Sequence, residues 1–556
     1  MYRTRAALAL TLLAADISHA AFDLGYGSDA DLTSLVTVIA SVQPHRPEIK
    51  APRYNVTRDP SVDSTPGFWF VAPYVGIFQD VPPDQYYLPC STGPHIYDND
   101  GELIWSSACK TRNQNACDFR RFLDQDGNEH LSALFIGYED EYKSKAAIMN
   151  SSYDIVTTFD SPALEGRINM HELNIVDEGR SAVYLTSKGE ARDISELGLL
   201  NQTTGWVSNI GLREVNLASG RTNFEWWSKD VVSILESTIP PNFVELSGQG
   251  WNWLHPNSVD KDDAGDYLIS GRFTDTIYKI SSTGQIMWRL GGKQSSFHLE
   301  DFSFSKQHDA RFLSKHGSIE VISLFDNAAV SHPGVDLAPT FPHSSALVIE
   351  IDHDTETARV IKRIARPDGG LTKLRGNFQT LSNGNAFVSW ADNGYISEHN
   401  VNGDLLFKAQ FASKRFVTYR TYKFNFTGHP TEPPVMKTFV YGETQETSTT
   451  VWYASWNGAT DIAEWHFYRQ LNSTAGSSFV GAARKDGFET MFMSDGFESV
   501  VYAEAVAFNG TVLGRTDVDH PPPPTHWAFT VDTHIHKVAA KSLLPVLQPF
   551  QEKDEL

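Results

Sequence analysis

All-β is the fold class this sequence predicts, with a β-propeller followed by a small β-sandwich. Three observations predict it. Short apolar runs are split again and again by Asp-Gly, Asn-Gly, Glu-Gly and Ser-Gly turn signals, which mark hairpins. The runs recur over about 350 residues at the roughly 40-residue spacing of propeller blades. After a break at GHPTEPP, ending at Pro434, a second and shorter series of strand signals begins.

Taken in order, residues 1–20 read as a secretory signal. Arg3 and Arg5 form its charged end, Ala6–Ala15 its apolar stretch and Ser18-His19-Ala20 its small-residue cleavage site. Residues 21–50 carry little pattern. The propeller is expected over 51–430, opening at PGFWFVAPY. GPHIYDNDGELIWSS reads as strand, turn, strand, and DFRRFLDQDGNEHLSALFIG, NMHELNIVDEGRSAVYLTS and LREVNLASGRTNFEWW repeat that logic. TIYKISSTGQIMWRL, ALVIEIDHDTETARVIKRI and the Asn-Gly turns of NFQTLSNGNAFVSWADNGYISEHNVNGDLLFKAQF continue it. The sandwich is expected over 435–519, the size of a fibronectin-like module, from strands such as TSTTVWYASW and ESVVYAEAVAF. Residues 520–556 are a Pro-rich exit and tail. The chain ends Lys553-Asp554-Glu555-Leu556, an endoplasmic-reticulum retrieval signal read by a receptor. The expected location is therefore the lumen of the endoplasmic reticulum or the secretory pathway.

Composition narrows the function classes. The chain has 556 residues and a formal charge of -22, which argues against a nucleic-acid partner, because phosphate binding needs a basic face. Neither the leader nor Val538–Phe550 is long and apolar enough for a membrane span. Cys90, Cys109 and Cys117 allow three pairings in an oxidising compartment and have no CxxC spacing for zinc. Glycosylation sequons stand at Asn55, Asn150, Asn201, Asn425, Asn472 and Asn509. No GxSxG elbow, P-loop, GxGxxG fingerprint or HExxH pair is present, and the Asp260–Asp266 run lacks EF-hand spacing. No metal site and no cofactor are expected.

The chemistry concentrates between Gly248 and Arg311. His255 and Asn257 lie two apart, which on a strand puts them on one side, and Arg272 ends the next strand. Imidazole, amide and guanidinium at one spot suit an oxyanion such as a sulfate or phosphate ester. A lone histidine is more often a satisfied structural residue than a catalyst, and Arg272 has Asp275 and Asp266 as candidate partners. The combination carries the reading.

WLHPNSV, ISGRFTDTIYKI, MWRLGGK, QHDARF and SLFDNA, with NMHELNIV and PGFWFVAPY, resemble the fungal branch of the arylsulfotransferase-like family over roughly residues 50 to 520. The resemblance implies a six-bladed propeller with its site at the central channel. It implies His308 as the histidine that is transiently sulfurylated, His255, Asn257 and Arg272 as the sulfuryl-binding set, and His171 as a further site histidine. The leading expectation is an enzyme moving a sulfuryl group from an aryl sulfate to a phenol through a sulfo-histidine, with no metal or nucleotide donor. A second expectation is a cyclase of hetero-Diels–Alder type acting on a quinone-methide or phenolic intermediate in secondary-metabolite biosynthesis, by orientation and hydrogen bonding alone. A third is a non-enzymatic propeller that binds a partner.

Overall fold

A computed structural model describes residues 46, 48–74, 90–136, 144–160, 167–241, 250–329, 339–470 and 476–527. The leader, the C-terminal tetrapeptide and the sequon at Asn472 lie outside the described residues. The chain divides into two units, Met1–Pro433 with Trp456–Ile462, and Pro434–Ser455 with Ala463–Leu556. Secondary structure is strand throughout, interrupted by short 3₁₀ turns, and no described helix is long and apolar enough to cross a membrane.

The first unit is a propeller-type ring of antiparallel sheets. Each hairpin read from the sequence forms. The first strands of the successive sheets are Ala116–Leu123, Arg167–Val176, Pro256–Lys261, His308–His316 and Asn377–Thr380. The sixth sheet is closed from both ends of the unit: Thr421–Phe424 pairs with Phe68–Val71, which pairs onward with His95–Tyr97 and Leu103–Ser106. Neighbouring first strands contact one another around a closed circuit, from Thr421–Phe424 through the other five and back. Pairing of the earliest strand, Tyr54–Arg58, with Leu405–Phe411 adds a second tie between distant parts of the chain. Both closures are non-local, so the ring forms only when the ends of the unit meet.

One turn recurs between strands, and its chemistry explains the Asp-Gly signals. Asp98, Asp124, Asp262 and Asn400 each accept two backbone N–H bonds with Oδ1, from residues two and four ahead. The fourth residue of these turns is left-handed, for example Gly101 at φ 81° and Gly265 at φ 82°, a conformation glycine adopts without steric cost. The carboxylates of the Asp260–Asp266 run are used in this way: Asp262 caps its own turn and pairs with Lys279, and Asp266 accepts from Ser282 N.

Large aromatics fill the spaces between sheets, as burial of apolar area requires. Trp69 is fully buried and stacks on Phe407 at 5.3 Å, and Trp253 and Trp390 are equally sealed. Cys90 and Cys109 form a disulfide closing a loop with a separation of 19 residues, while Cys117 lies buried on a first strand and donates to Met170 O at 2.7 Å. A loop of that size stabilises by about 3 kcal/mol in the chain-entropy picture.

The second unit has two sheets. One holds Val435–Tyr441, Thr449–Ser455 and Glu489–Asp495; the other holds Ser477–Arg484, Ile462–Gln470, Val501–Ala507 and Val512–Arg515. Phe467 of the second sheet meets Trp452 at 5.4 Å and Phe492 at 4.6 Å on the first, so aromatic contacts join the two faces.

Candidate active site

The hub of the ring is built by repetition. Around the circuit, in or just before the first strands, stand the pairs Cys117-Asp118, His171-Glu172, His255-Pro256, His308-Asp309, Arg375-Gly376 and Tyr419-Arg420. The charged second members, Asp118, Glu172, Asp309 and Arg420, form a floor together with Arg120 and Arg311, and the first members stand beside it. Asp118, His255, Asp309 and Arg375 have φ of 55°, 47°, 54° and 68°. Left-handed backbone at residues other than glycine costs about 1–3 kcal/mol each and clusters at functional sites.

Each charged side chain of the floor is ion-paired. Arg420 Nη1 lies 2.9 Å from Glu172 and 3.2 Å from Asp118, and its Nη2 donates to Asn257 O at 2.8 Å. Arg311 bonds Glu172 at 2.8 Å and Asp309 at 2.6 Å, and Arg120 bonds Glu172 at 3.0 Å. Tyr422 Oη donates to Asp118 at 2.8 Å, and Phe378 N donates to Asp309 Oδ2 at 3.1 Å. Three carboxylates and three guanidiniums thus tie the six sheets together with no charge left over among them.

Beside this floor stand the sequence-predicted histidines. His171 and His255 meet edge to face at 4.7 Å, and Tyr419 lies 5.7 Å from His171 and 6.4 Å from His308. Their protons are assigned by neighbouring amides. Asn327 Nδ2 donates to Thr372 O and Arg375 O, so its Oδ1 accepts from His308 Nδ1 at 2.7 Å. His308 Nε2 therefore carries a lone pair, which takes only a long 3.3 Å bond from Arg375 N. Asn252 Oδ1 takes the His255 backbone N–H, so its Nδ2 donates to His255 Nδ1 at 2.9 Å and the proton of His255 sits on Nε2. His171 donates from Nδ1 to Asn169 Oδ1, leaving its Nε2 as an acceptor.

Burial disfavours the charged form of all three imidazoles. Burial, reinforced by Arg272, Arg420 and Arg375, pushes His171 down to about 3. Burial, His171 and Arg272 drive His255 well below its ordinary value, and burial with Arg272 does the same to His308. Arg272, 3% exposed, follows the strand Tyr267–Gly271, lies over Phe273 at 4.8 Å and is pushed down to about 10 by burial. Neither candidate carboxylate ion-pairs with it: Asp275 holds Lys306 at 3.0 Å, and Asp266 lies 3.8 Å from Lys279.

His171, His255, Arg272 and His308 thus come together. Asn257 stands apart from them in role. His255 precedes its strand at φ 47°, so strict alternation does not link the pair, and Asn257 Nδ2 donates to Gln307 O at 2.6 Å, bracing the residue before His308. Sequence reasoning missed Arg375, Tyr419, Asn327 and the acids of the floor. Aligning the strand starts on one another would have found the first two, since Arg375 and Tyr419 occupy the places held by histidine in three other sheets. Among the described residues Tyr419 Oη and Asn257 Oδ1 are buried without a hydrogen-bond partner, a cost of about 1–3 kcal/mol each that a bound polar group would remove.

Residues 138–412 match the family model described as arylsulfotransferase (ASST). That stretch carries all three histidines, Arg272 and Arg375. Among curated proteins none matches the chain. Solved structures similar to it include a streptogramin B lyase, 9% identical with a TM-score of 0.26, covering 71% of this chain and 91% of that one. Apo AztD from Citrobacter koseri is 10% identical with a TM-score of 0.25, covering 65% and 99%. The GH43 BlXynB protein from Bacillus licheniformis is 7% identical with a TM-score of 0.28, covering 72% and 89%. At such low TM-scores these likenesses carry no argument about the site.

Proposed function

We propose that the protein transfers a sulfuryl group from an aryl sulfate to a phenol, with His308 as the covalent carrier. The observation that carries this reading is the tautomer set at the hub: a nucleophilic lone pair on His308 Nε2 beside a proton on His255 Nε2. The match of residues 138–412 to the arylsulfotransferase family model supports it.

In the first half-reaction His308 Nε2 attacks sulfur. The N–S bond forms as the S–O(aryl) bond breaks, and the departing phenolate oxygen accepts a hydrogen bond from His255 Nε2–H. Arg272 bears the charge on the sulfuryl oxygens, where little covalent work remains beyond positioning and electrostatics. In the second, the acceptor enters as phenolate held by His255 Nε2–H, its oxygen attacks sulfur as the N–S bond breaks, and His308 Nε2 regains its lone pair. Asn327 holds the His308 proton on Nδ1 throughout, as an orienting group does for a catalytic imidazole. The weak Arg375 N–H contact on Nε2 gives way as the N–S bond forms.

4-Nitrophenyl sulfate with phenol as acceptor tests this. The expected result is acceptor-dependent release of nitrophenolate with parallel double-reciprocal lines, the ping-pong pattern. Undiminished turnover in His308→Ala would overturn it. The secretory pathway is proposed as the setting, supported by the Cys90–Cys109 disulfide and by exposed sequon asparagines at Asn55, Asn201, Asn425 and Asn509. A mobility shift on glycosidase treatment of the secreted protein checks it; no shift would contradict it.

A further inference from the structure

Tyr419 occupies, on the sixth sheet, the place that histidine holds on three others. It is 2% exposed, and among the described residues its Oη is buried without a hydrogen-bond partner. The ring meets His171 edge to face at 5.7 Å and His308 at 6.4 Å, so it packs against the carrier and against a second site imidazole. The backbone is held on either side. Thr418 N donates to Ala391 O at 3.1 Å, Gly376 N donates to Tyr419 O at 3.1 Å, and Arg420 is locked into the floor by Glu172 and Asp118. These anchors keep the phenol at the hub, among the imidazoles.

A buried hydroxyl with nothing to bond is unfavourable and uncommon, and a ligand oxygen that accepts from it removes the cost. Burial raises the Tyr419 hydroxyl well above its ordinary value, so it stays protonated and serves as a donor, not as a base. Burial lowers Arg272, and Tyr419 acts on that guanidinium in the opposite direction, which puts the phenol in the neighbourhood of the residue read as bearing the sulfuryl charge. Asn257, the neutral donor that the sequence motif offers for the same group, has its Nδ2 turned to Gln307 O at 2.6 Å.

We propose that Tyr419 is a further substrate-binding residue, whose Oη–H donates a hydrogen bond to an oxygen of the sulfuryl group held at His308, the work that the motif gave to Asn257. The proposal rests on the oxyanion reading of the hub given above, and not on sulfuryl transfer itself. No proton changes hands: the O–H bond stays intact and the sulfuryl oxygen only accepts. A donor fixed beforehand needs no reorganisation when that group arrives, which is how preorganised sites favour charged oxygens.

Tyr419→Phe in the full chain tests it, because it removes the hydroxyl and keeps the ring. Two readouts should move in opposite directions. Melting of the free protein is expected at the same or a higher temperature, since the lost group had no partner. Titration calorimetry with benzenesulfonate, which presents three sulfonyl oxygens but has no S–O(aryl) bond to break, is expected to show binding weakened about tenfold, as for loss of a hydrogen bond to a charged group. Unchanged affinity overturns the proposal, as does failure of wild type to bind benzenesulfonate. A lower melting temperature in Tyr419→Phe also overturns it, because the hydroxyl would then have a structural partner. A protein that loses affinity in Tyr419→Phe but transfers no sulfuryl group keeps this inference and loses the preceding one; transfer with equal affinity in both proteins separates them the other way.

Discussion

The floor of the hub and the residues beside it are built from similar side chains and behave in opposite ways. In the floor, Arg120, Arg311 and Arg420 each meet two or more carboxylates, and backbone N–H groups take up remaining oxygens, as Leu173 does for Asp118 at 2.8 Å. Beside it, burial disfavours the charged form of three imidazoles, and among the described residues Tyr419 Oη has no hydrogen-bond partner. A satisfied network fixes position; an unsatisfied one a residue away is ready to bind. The difference teaches that the charged motif residues divide by place: those immediately after the repeated position hold the ring, and those at it face the chemistry.

Substitutions on the two sides should therefore fail differently. The largest effect is expected for His308→Ala, a loss of at least about a thousandfold in turnover, as for other covalent carriers, with thermal stability nearly unchanged. Arg420→Met should do the reverse. It strands Glu172 and Asp118 in the interior and is expected to cost about 3–5 kcal/mol in denaturant unfolding, the magnitude for breaking a buried ion network. If Arg420→Met melted like wild type, the division between floor and site would be wrong.

A smaller effect, about 10- to 100-fold in kcat, is expected for Asn327→Leu, which removes the acceptor fixing the His308 tautomer and leaves a buried N–H unpaired. KM should move less than kcat, since Asn327 positions the carrier and is not assigned to the substrate. The smallest is a pH effect. His171 is held at about 3 against an ordinary 6.5, so between those values the unfolded chain binds more protons than the folded one. Its contribution to stability is complete above about pH 6.5 and is lost as pH falls toward 3. Melting temperature should drop across that window, less steeply in His171→Asn, and kcat/KM should show no acid limb near pH 6.5.

Much of this was legible in the sequence. Hairpins were marked because an Asp or Asn that caps its own turn, followed by glycine, is a local device needing no tertiary context. QHDAR and LHPNS carried His308 and His255 because motif and strand start coincide. Asn257 was read by two-residue alternation, which His255 breaks by standing left-handed outside the strand. Arg375 and Tyr419 lie in LRGNF and TYRTY, stretches without a histidine, and only the circular meeting of first strands shows that they share its place. The cysteine pairing was open for the same reason: a choice among three thiols is made by chain geometry, not by spacing.

The most direct test of the central claim is rapid quenching of the protein with 4-nitrophenyl sulfate in the absence of acceptor, followed by peptide mass analysis. The account predicts a burst of nitrophenolate of about one equivalent and the mass of one SO3 on the peptide holding His308, absent in His308→Ala. A burst-free reaction with no modified histidine, or the adduct on a residue away from the hub, would contradict it.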